Sequence, residues 1–172
     1  MTVELLLIGG RSGAGKSSVG WEVAAQLRAA DVAHAYLEGD FLDAAHPTRP
    51  DLTRRNLAAL WRNYRALGHH RLVYTNTASV LASETRLFTT ALAPDPLRVV
   101  RVLLTATDET VRARLTTREQ GSELQQQLER SRSMATRLEH GVPENTLRIP
   151  TDNRTVIQVA RAVIEQAGWL VP

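Results

Sequence analysis

The fold of this chain is decided by residues 5–18, which read LLLIGGRSGAGKSS. From Gly10 to Ser17 the stretch matches the pattern G-x-x-x-x-G-K-[ST], which binds phosphate when a strand precedes it and a helix follows it. An apolar run, Leu5 to Ile8, precedes the match and predicts a buried strand. After the match, apolar side chains recur at every fourth position to about Ala30, which predicts a helix. The motif therefore stands in the context that phosphate binding requires.

Each residue type in this loop has a physical role in holding a triphosphate. Gly10, Gly13 and Gly15 permit a tight turn in which successive backbone N–H groups point at phosphate oxygens. The start of the following helix adds a partial positive charge. Lys16 can reach the β- and γ-phosphates, and the Ser17 hydroxyl can ligate Mg²⁺. The predicted nucleotide-binding residues of the loop are Gly10, Ser12, Gly13, Ala14, Gly15, Lys16, Ser17 and Ser18.

Length and composition describe an ordinary globular chain. The 172 residues, of which 43% are hydrophobic and 23% charged, fit one domain spanning residues 1–172 and exclude a disordered or low-complexity chain. The absence of cysteine excludes disulfides and Cys-ligated metal centres. The apolar run at residues 5–8 is too short to cross a bilayer, and no basic leader precedes it. We therefore expect a soluble, cytoplasmic protein, a monomer or a homodimer, that contacts no membrane.

The cationic residues are almost all arginine. Of the 21 lysines and arginines, Lys16 is the one lysine, and it lies in the phosphate-binding motif. The formal net charge of +3 fits either affinity for nucleic acid or a site for anionic ligands. Composition alone does not distinguish these two classes.

The rest of the chain alternates predicted strands with predicted helices. Strands at residues 33–38, 71–75, 99–105 and 146–149 follow the first strand, and helices separate them, including one from about residue 79 to 92. This alternation predicts an α/β fold with a five-stranded parallel sheet covered by helices on both faces, a three-layer αβα sandwich. Ligands of such sheets bind beyond the carboxyl ends of the strands.

Asp40 ends the second predicted strand, at the same edge of the sheet as the phosphate loop. An acidic residue there can accept the proton of an attacking hydroxyl, or help Ser17 to hold Mg²⁺. A solvated aspartate in a Gly-Asp turn is the simpler alternative. His46 follows in the next loop, where substrate contact and a structural turn fit the sequence equally well. We predict an acceptor-binding region at about residues 40–70 and substrate contacts from Asp40, His46, Arg49 and Asn76.

Two arginines follow the fourth predicted strand. Arg114 and Arg118 lie four residues apart and so share one face of a helix. The polar segment beyond them, at about residues 119–141, has few apolar positions and is typical of a mobile helical lid. Arginines brought in by such a lid can stabilise the charge that develops during phosphoryl transfer; a solvated helix face is the alternative. Arg118 completes a predicted catalytic set with Lys16 and Asp40.

These residues resemble those of the P-loop small-molecule kinases related to nucleoside monophosphate kinases. Residues 12–17 (SGAGKS), residues 36–42 (YLEGDFL) and the pair His46-Pro47 are most similar to gluconate kinase, and less closely to adenylylsulfate kinase. The resemblance covers nearly the whole chain. It implies ATP and Mg²⁺ as cofactors and a small hydroxylated molecule as the partner in the reaction.

The resemblance also implies roles for individual residues. Asp40 would lie against the acceptor hydroxyl, Arg114 would pack on the adenine, and Arg118 would meet the phosphates. Asn153 and Arg154, after the last strand, would lie by the adenine and the ribose.

The segment after the third strand departs from gluconate kinase. That family has basic residues there that hold its substrate, whereas this chain reads NTASV at residues 76–80. This difference points away from gluconate itself. We therefore predict an ATP-dependent transfer of the γ-phosphate to a hydroxyl of a small molecule such as a sugar acid, another metabolite or an antibiotic.

Two other functions stay open. A nucleoside monophosphate kinase would need an arginine clamp for its anionic acceptor, and the chain offers Arg49, Arg54, Arg55 and Arg86. A basic, nucleic-acid-binding ATPase is a remote alternative, because the arginines lack interleaved aromatic residues. A guanine-specific switch protein is excluded, since the one lysine lies in the phosphate loop and cannot complete an Asn-Lys-x-Asp segment.

Overall fold

The computed structural model of the protein describes residues 1–117 and 122–169. Its strands are Val3–Gly9 (β1), Ala35–Glu38 (β2), Arg71–Thr75 (β3), Leu97–Thr105 (β4) and Leu147–Pro150 (β5). Its helices are Lys16–Ala29 (α1), Leu52–Ala66 (α2), Thr85–Ala91 (α3), Asp108–Thr116 (α4), Ser122–Gly141 (α5) and Val156–Ala167 (α6). None of these helices has the length and apolar content that crossing a membrane requires.

The strands form one parallel sheet in the order β2-β3-β1-β4-β5. β1 lies at its centre and pairs with both β3 and β4, so that Ile8 is level with Thr75, and Gly9 with Leu103. Because all strands point the same way, the segments that follow them gather at one edge. The predicted α/β fold with a five-stranded parallel sheet is confirmed.

The sheet is buried on both faces, as parallel sheets generally are. Successive side chains of β1 alternate between two apolar layers, with Val3, Leu5 and Leu7 in one and Leu6 and Ile8 in the other. Helices α2 and α3 and the end of α5 pack on the first face, and α1 and α6 pack on the second. The three-layer sandwich predicted from the sequence is therefore confirmed.

Helices α4 and α5 pack against each other through a small apolar cluster of their own. Val111 and Leu115 of α4 contact Leu128 of α5 in this cluster. The other end of α5 reaches the main core through Leu138. Most of the predicted lid region, residues 119–141, is thus a helix with an apolar contact at each end.

The helix predicted from about residue 79 to 92 starts later, at Thr85. The segment before it forms a turn, in which the Asn76 side-chain oxygen accepts a hydrogen bond from the Ala78 N–H at 3.0 Å. The Ser79 hydroxyl donates to the Asn76 carbonyl, also at 3.0 Å. The predicted start was wrong because these local side-chain hydrogen bonds compete with helix formation.

Candidate functional site

The phosphate loop, residues 10–15, connects β1 to α1 at the carboxyl edge of the sheet. Its glycines have positive φ angles of 152° at Gly10, 84° at Gly13 and 96° at Gly15, a region that favours glycine. A Cβ on Gly13 would also lie only 3.0 Å from Val111 Cγ1. Gly15 begins α1 without a side-chain cap, and uncapped N–H groups at a helix N-terminus bind anions.

Lys16, Ser17 and Ser18 form the first turn of α1. Lys16 is half-buried, and its Nζ donates a hydrogen bond to the Arg11 carbonyl of the preceding loop at 3.2 Å. Ser17 and Ser18 are exposed. The loop and the first turn of α1 thus bring together a cation, two hydroxyls and uncapped backbone N–H groups, which are the groups that a triphosphate with Mg²⁺ requires.

Arg11, at a variable position of the motif, joins the loop to α4 and α5. Its buried guanidinium forms an ion pair with Asp108, and its Nε donates to Ser131 Oγ at 2.8 Å. Ser131 in turn donates to the Ser12 carbonyl at 2.9 Å. A hydrogen bond from Arg11 lowers the pKa of the Asp108 carboxyl below its ordinary value, and Arg132 lowers it further. Sequence reasoning missed Arg11, because its partners lie 97 and 120 positions away and no local pattern marks them.

A cavity of about 240 Å³ borders the phosphate loop. Its lining includes Gly13, Gly15 and Ser18 from the loop and the start of α1, together with Arg114 and Arg154. These five residues all belong to the predicted nucleotide-binding set, so the structure brings a part of that set together around one opening.

Arg114 is fixed in place at this cavity. Its Nη1 donates to the Gly13 carbonyl and to the Thr151 hydroxyl, both at 3.0 Å, and its Nη2 donates to the Thr151 carbonyl at 3.2 Å. Arg114 therefore ties the phosphate loop to the turn after β5. Asn153 in that turn is exposed and lies outside the lining of this cavity. Arg118, predicted to contact the phosphates, lies outside the described residues.

Asp40 and Asn76 follow adjacent strands and meet at the carboxyl edge of the sheet. Asp40 lies in a short 3₁₀ turn, residues 39–41, directly after β2, and Asn76 is the first residue after β3. The Asn76 amide Nδ2 donates to Asp40 Oδ1 at 2.6 Å. The Asn76 backbone N–H also donates to the Ile8 carbonyl of β1 at 3.3 Å. These two predicted acceptor residues thus lie together, beside the strand that leads into the phosphate loop.

A second cavity, of about 510 Å³, lies next to this pair. Asn76, Gly39 and Tyr74 line it from the ends of β2 and β3, and residues of α2, of α3 and of the segments that precede these two helices complete it. His46 and Arg49 are exposed in the loop before α2 and are not part of the lining. The cavity therefore includes Asn76 but neither of the two predicted loop residues.

The arginines considered for a phosphate clamp do not gather around this cavity. Arg54 lines it, and its Nη2 lies 4.0 Å from Asp51 Oδ2. Arg55 also pairs with Asp51, at 3.8 Å, and lies outside the lining, as do Arg49 and Arg86.

No protein-family model and no curated protein matches the chain. Solved structures do match it. The tunicamycin resistance protein of Deinococcus radiodurans superposes with a TM-score of 0.69 at 19% identity, over 98% of this chain and 97% of that one. A gluconokinase from Sinorhizobium meliloti gives a TM-score of 0.62 at 20% identity, over 96% of this chain and 91% of that one.

An APS kinase, CysC of Mycobacterium tuberculosis, was solved with AMPPNP and APS. It superposes with a TM-score of 0.59 at 21% identity, over 96% of this chain and 98% of that one. Each of these matches spans nearly the full length of both chains. Because the sequence identities are low, the matches show a common fold and nothing further. The protein has the fold of the P-loop small-molecule kinases.

Proposed function

We propose that the protein is an ATP-dependent phosphotransferase that moves the γ-phosphate of ATP to a hydroxyl group of a small molecule. The observation that carries the proposal is the position of the hydrogen-bonded pair Asp40 and Asn76 at the same sheet edge as the phosphate loop. One cavity borders the loop and another borders the pair. This arrangement supplies a place for a donor, a place for an acceptor and a carboxylate near both.

The cavity beside the phosphate loop supports nucleotide binding. Lys16 would meet the β- and γ-phosphates, together with the N–H groups of the loop. Arg114 and Arg154, which line the cavity, would border the adenosine, and Asn153, the neighbour of Arg154 in the chain, would lie near it. Arg118 would approach the transferred phosphoryl group as a charge-stabilising residue.

The donor set fits Mg²⁺ held partly by the nucleotide. No group of three or more His, Cys, Asp or Glu side chains in residues 1–117 and 122–169 could hold a metal ion by itself. Mg²⁺ commonly binds through one or two protein oxygens together with substrate phosphates and water. Ser17 Oγ would provide one such oxygen, and Asp40 a second. Bound there, Mg²⁺ would neutralise charge on the phosphates.

Asp40 would act as the general base for the acceptor hydroxyl. Its Oδ1 accepts the 2.6 Å hydrogen bond from Asn76, which leaves Oδ2 to face an acceptor. As the acceptor oxygen forms its bond to the γ-phosphorus, the bond from that phosphorus to the bridging oxygen of ADP breaks, and Asp40 takes the proton. A phosphate acceptor has little use for such a base and needs cations instead, and Arg54 is the one clamp arginine in the cavity lining.

The test combines binding with transfer. Titration calorimetry with Mg-ATP should give a saturable signal, and the melting temperature should rise with Mg-ATP concentration. Transfer from γ-labelled ATP is then compared between two panels, hydroxylated small molecules and nucleoside monophosphates. Absence of Mg-ATP binding would overturn the proposal, and transfer confined to nucleoside monophosphates would replace it with that activity.

A further inference from the structure

Tyr74 is a buried residue whose hydroxyl forms no hydrogen bond within the described part of the chain. The side chain is 2% exposed and lines the 510 Å³ cavity beside Asp40 and Asn76. Its ring packs edge-on against Phe88, with 5.1 Å between the ring centroids. Its Oη forms no hydrogen bond with any residue in 1–117 or 122–169. Because Tyr74 lines this cavity, its hydroxyl is available to bond a polar atom of a ligand bound there, at the end of β3.

The charged groups of the same cavity are mostly negative. Three carboxylates line it, from Asp43, Asp51 and Glu84, against the one guanidinium of Arg54. Asp51 and Arg54 offset each other, since their charged atoms lie 4.0 Å apart. Asp43 Oδ2 accepts a hydrogen bond from the Thr53 hydroxyl at 3.2 Å. Because this donor is uncharged, it does not neutralise the negative charge of Asp43.

Glu84 is the carboxylate with the fewest partners. It is half-buried at the turn that leads into α3, and its side chain has no ion pair or hydrogen bond with the described residues. Asp40 adds a fourth carboxylate at the edge of the cavity, through its bond to Asn76. The cavity therefore has a surplus of negative charge beside a hydroxyl without a partner.

The pKa of the Tyr74 hydroxyl agrees with the negative charge of the cavity. Burial raises the pKa of the Tyr74 hydroxyl well above its ordinary value, and the negative charges of Asp40, Asp43 and Glu84 each raise it further. The hydroxyl thus lies in a region of negative potential, where an anion would be repelled. Leu87 and Phe88 add apolar surface to the lining, which can pack against carbon atoms.

We infer that the phosphate acceptor is a hydroxylated molecule without an anionic group, and that a protonated amine on it improves binding. The inference rests on the proposed function and names the substrate class of the same site. Tyr74 Oη would bond a hydroxyl or an amine of the acceptor, Glu84 would pair with the amine, and Asp40 would receive the reacting hydroxyl. Sugar acids, sulfated nucleotides and nucleoside monophosphates all carry the charge that this cavity disfavours.

The test uses glucosamine, glucose and gluconate, three six-carbon compounds that differ in charge. Each is titrated into the full-length protein loaded with Mg-AMPPNP, and each is offered with Mg-ATP for ADP release. Affinity and kcat/KM should decrease in the order glucosamine, glucose, gluconate, with at least about a tenfold difference between the first and the last. The carboxylates of the cavity attract the ammonium group of glucosamine and repel the carboxylate of gluconate. Equal or inverted binding, or no saturable binding of any of the three, overturns the inference.

Two variants test the residues. Glu84→Gln removes one charge at nearly constant volume and should reduce the preference for glucosamine over gluconate at least threefold. Glu144→Gln, at an exposed glutamate outside this cavity, is the matched control and should leave the preference unchanged. Tyr74→Phe should weaken acceptor binding while the Kd for Mg-AMPPNP stays the same. If neither Glu84→Gln nor Tyr74→Phe changes acceptor binding, the assignment of this cavity is wrong.

The two proposals fail in different ways. Phosphoryl transfer from Mg-ATP preferentially to an anionic acceptor would support the kinase function and contradict the inference about the acceptor. A protein that binds no Mg-ATP removes the kinase function itself.

Discussion

The side-chain amide of Asn76 holds the carboxylate of Asp40 by a hydrogen bond of 2.6 Å between Nδ2 and Oδ1. A flip of the Asn76 amide would break both of its hydrogen bonds, because its oxygen accepts a second one from the Ala78 N–H. The carboxylate is therefore oriented by a neighbouring strand, although it is exposed to solvent. A carboxylate held in one orientation beside a phosphate loop is suited to accept the proton of a hydroxyl group bound next to it.

Asp40→Asn is expected to lower kcat with the true acceptor by about 10² to 10⁴, the usual contribution of general base catalysis. The Kd for Mg-ATP should change little. Steady-state kinetics and calorimetry measure the two quantities. Asp31→Asn, at an exposed position with a left-handed φ of 55° that asparagine tolerates, is the control and should keep full activity. Near-normal turnover by Asp40→Asn would show that the base is another group.

Lys16→Ala is expected to weaken Mg-ATP binding by at least about tenfold, since charge-assisted hydrogen bonds contribute roughly 1.5 to 3 kcal/mol. Turnover should be abolished. Calorimetry measures the affinity, and a melt without nucleotide shows whether loss of the bond to the Arg11 carbonyl alters the fold. Arg28→Ala, an exposed cation at the end of the same helix, should bind nucleotide normally. Unchanged affinity in Lys16→Ala would contradict phosphate binding by this loop.

Arg114→Met should raise the Kd for Mg-ATP, because it removes the three hydrogen bonds that join the loop to the turn after β5. Three bonds at a net value of roughly 1 kcal/mol each correspond to about 10²-fold in an equilibrium constant. Because the same bonds also stabilise the nucleotide-free protein, a smaller loss of affinity, about tenfold, is expected. Arg112→Met, two residues earlier and exposed, makes the same change of charge without these partners. The same loss of affinity in both variants would assign the effect to charge alone.

The ion pair of Arg11 with Asp108 should make stability depend on pH in the acid range. The pKa of Asp108 is lowered in the folded protein, so its stabilising contribution is present above the unfolded pKa of aspartate, about 3.9, and is lost as the pH falls through the folded value. Urea unfolding should find Asp108→Asn less stable than the parent at pH 7. This difference in the free energy of unfolding should shrink as the pH is lowered. Glu109→Gln, exposed at the next position, removes a charge without breaking the ion pair of Arg11 and should stay close to the parent in stability at pH 7. A difference that stays constant from neutral pH to acid would contradict the assignment.

The loop between β1 and α1 and the parallel sheet could be predicted because their signals are local. The apolar run before Gly10 and the motif up to Ser17 occupy adjacent positions, and strand ends in a parallel sheet meet at one edge whatever the intervening lengths. That rule also predicts that Asp40 and Asn76 lie near the loop. Their direct hydrogen bond depends on side-chain rotamers, which no spacing encodes.

The rest of the site is built from contacts between distant parts of the chain. Arg11 and Ser131 are 120 positions apart, and Tyr74 reads in the sequence as an ordinary residue of a buried strand. Glu84 lines the 510 Å³ cavity because the segment before α3 forms a turn instead of the predicted helix. Such features follow from packing of the whole chain, and sequence reasoning had no local signal for them.

The position of Lys16 makes the phosphate loop the one place in the chain with a side-chain amine. Reductive methylation with isotopically labelled formaldehyde would therefore give a single lysine resonance, next to that of the amino terminus. Because that nitrogen donates to the Arg11 carbonyl in this structure, the resonance would report directly on whether a phosphate has replaced the carbonyl as its partner.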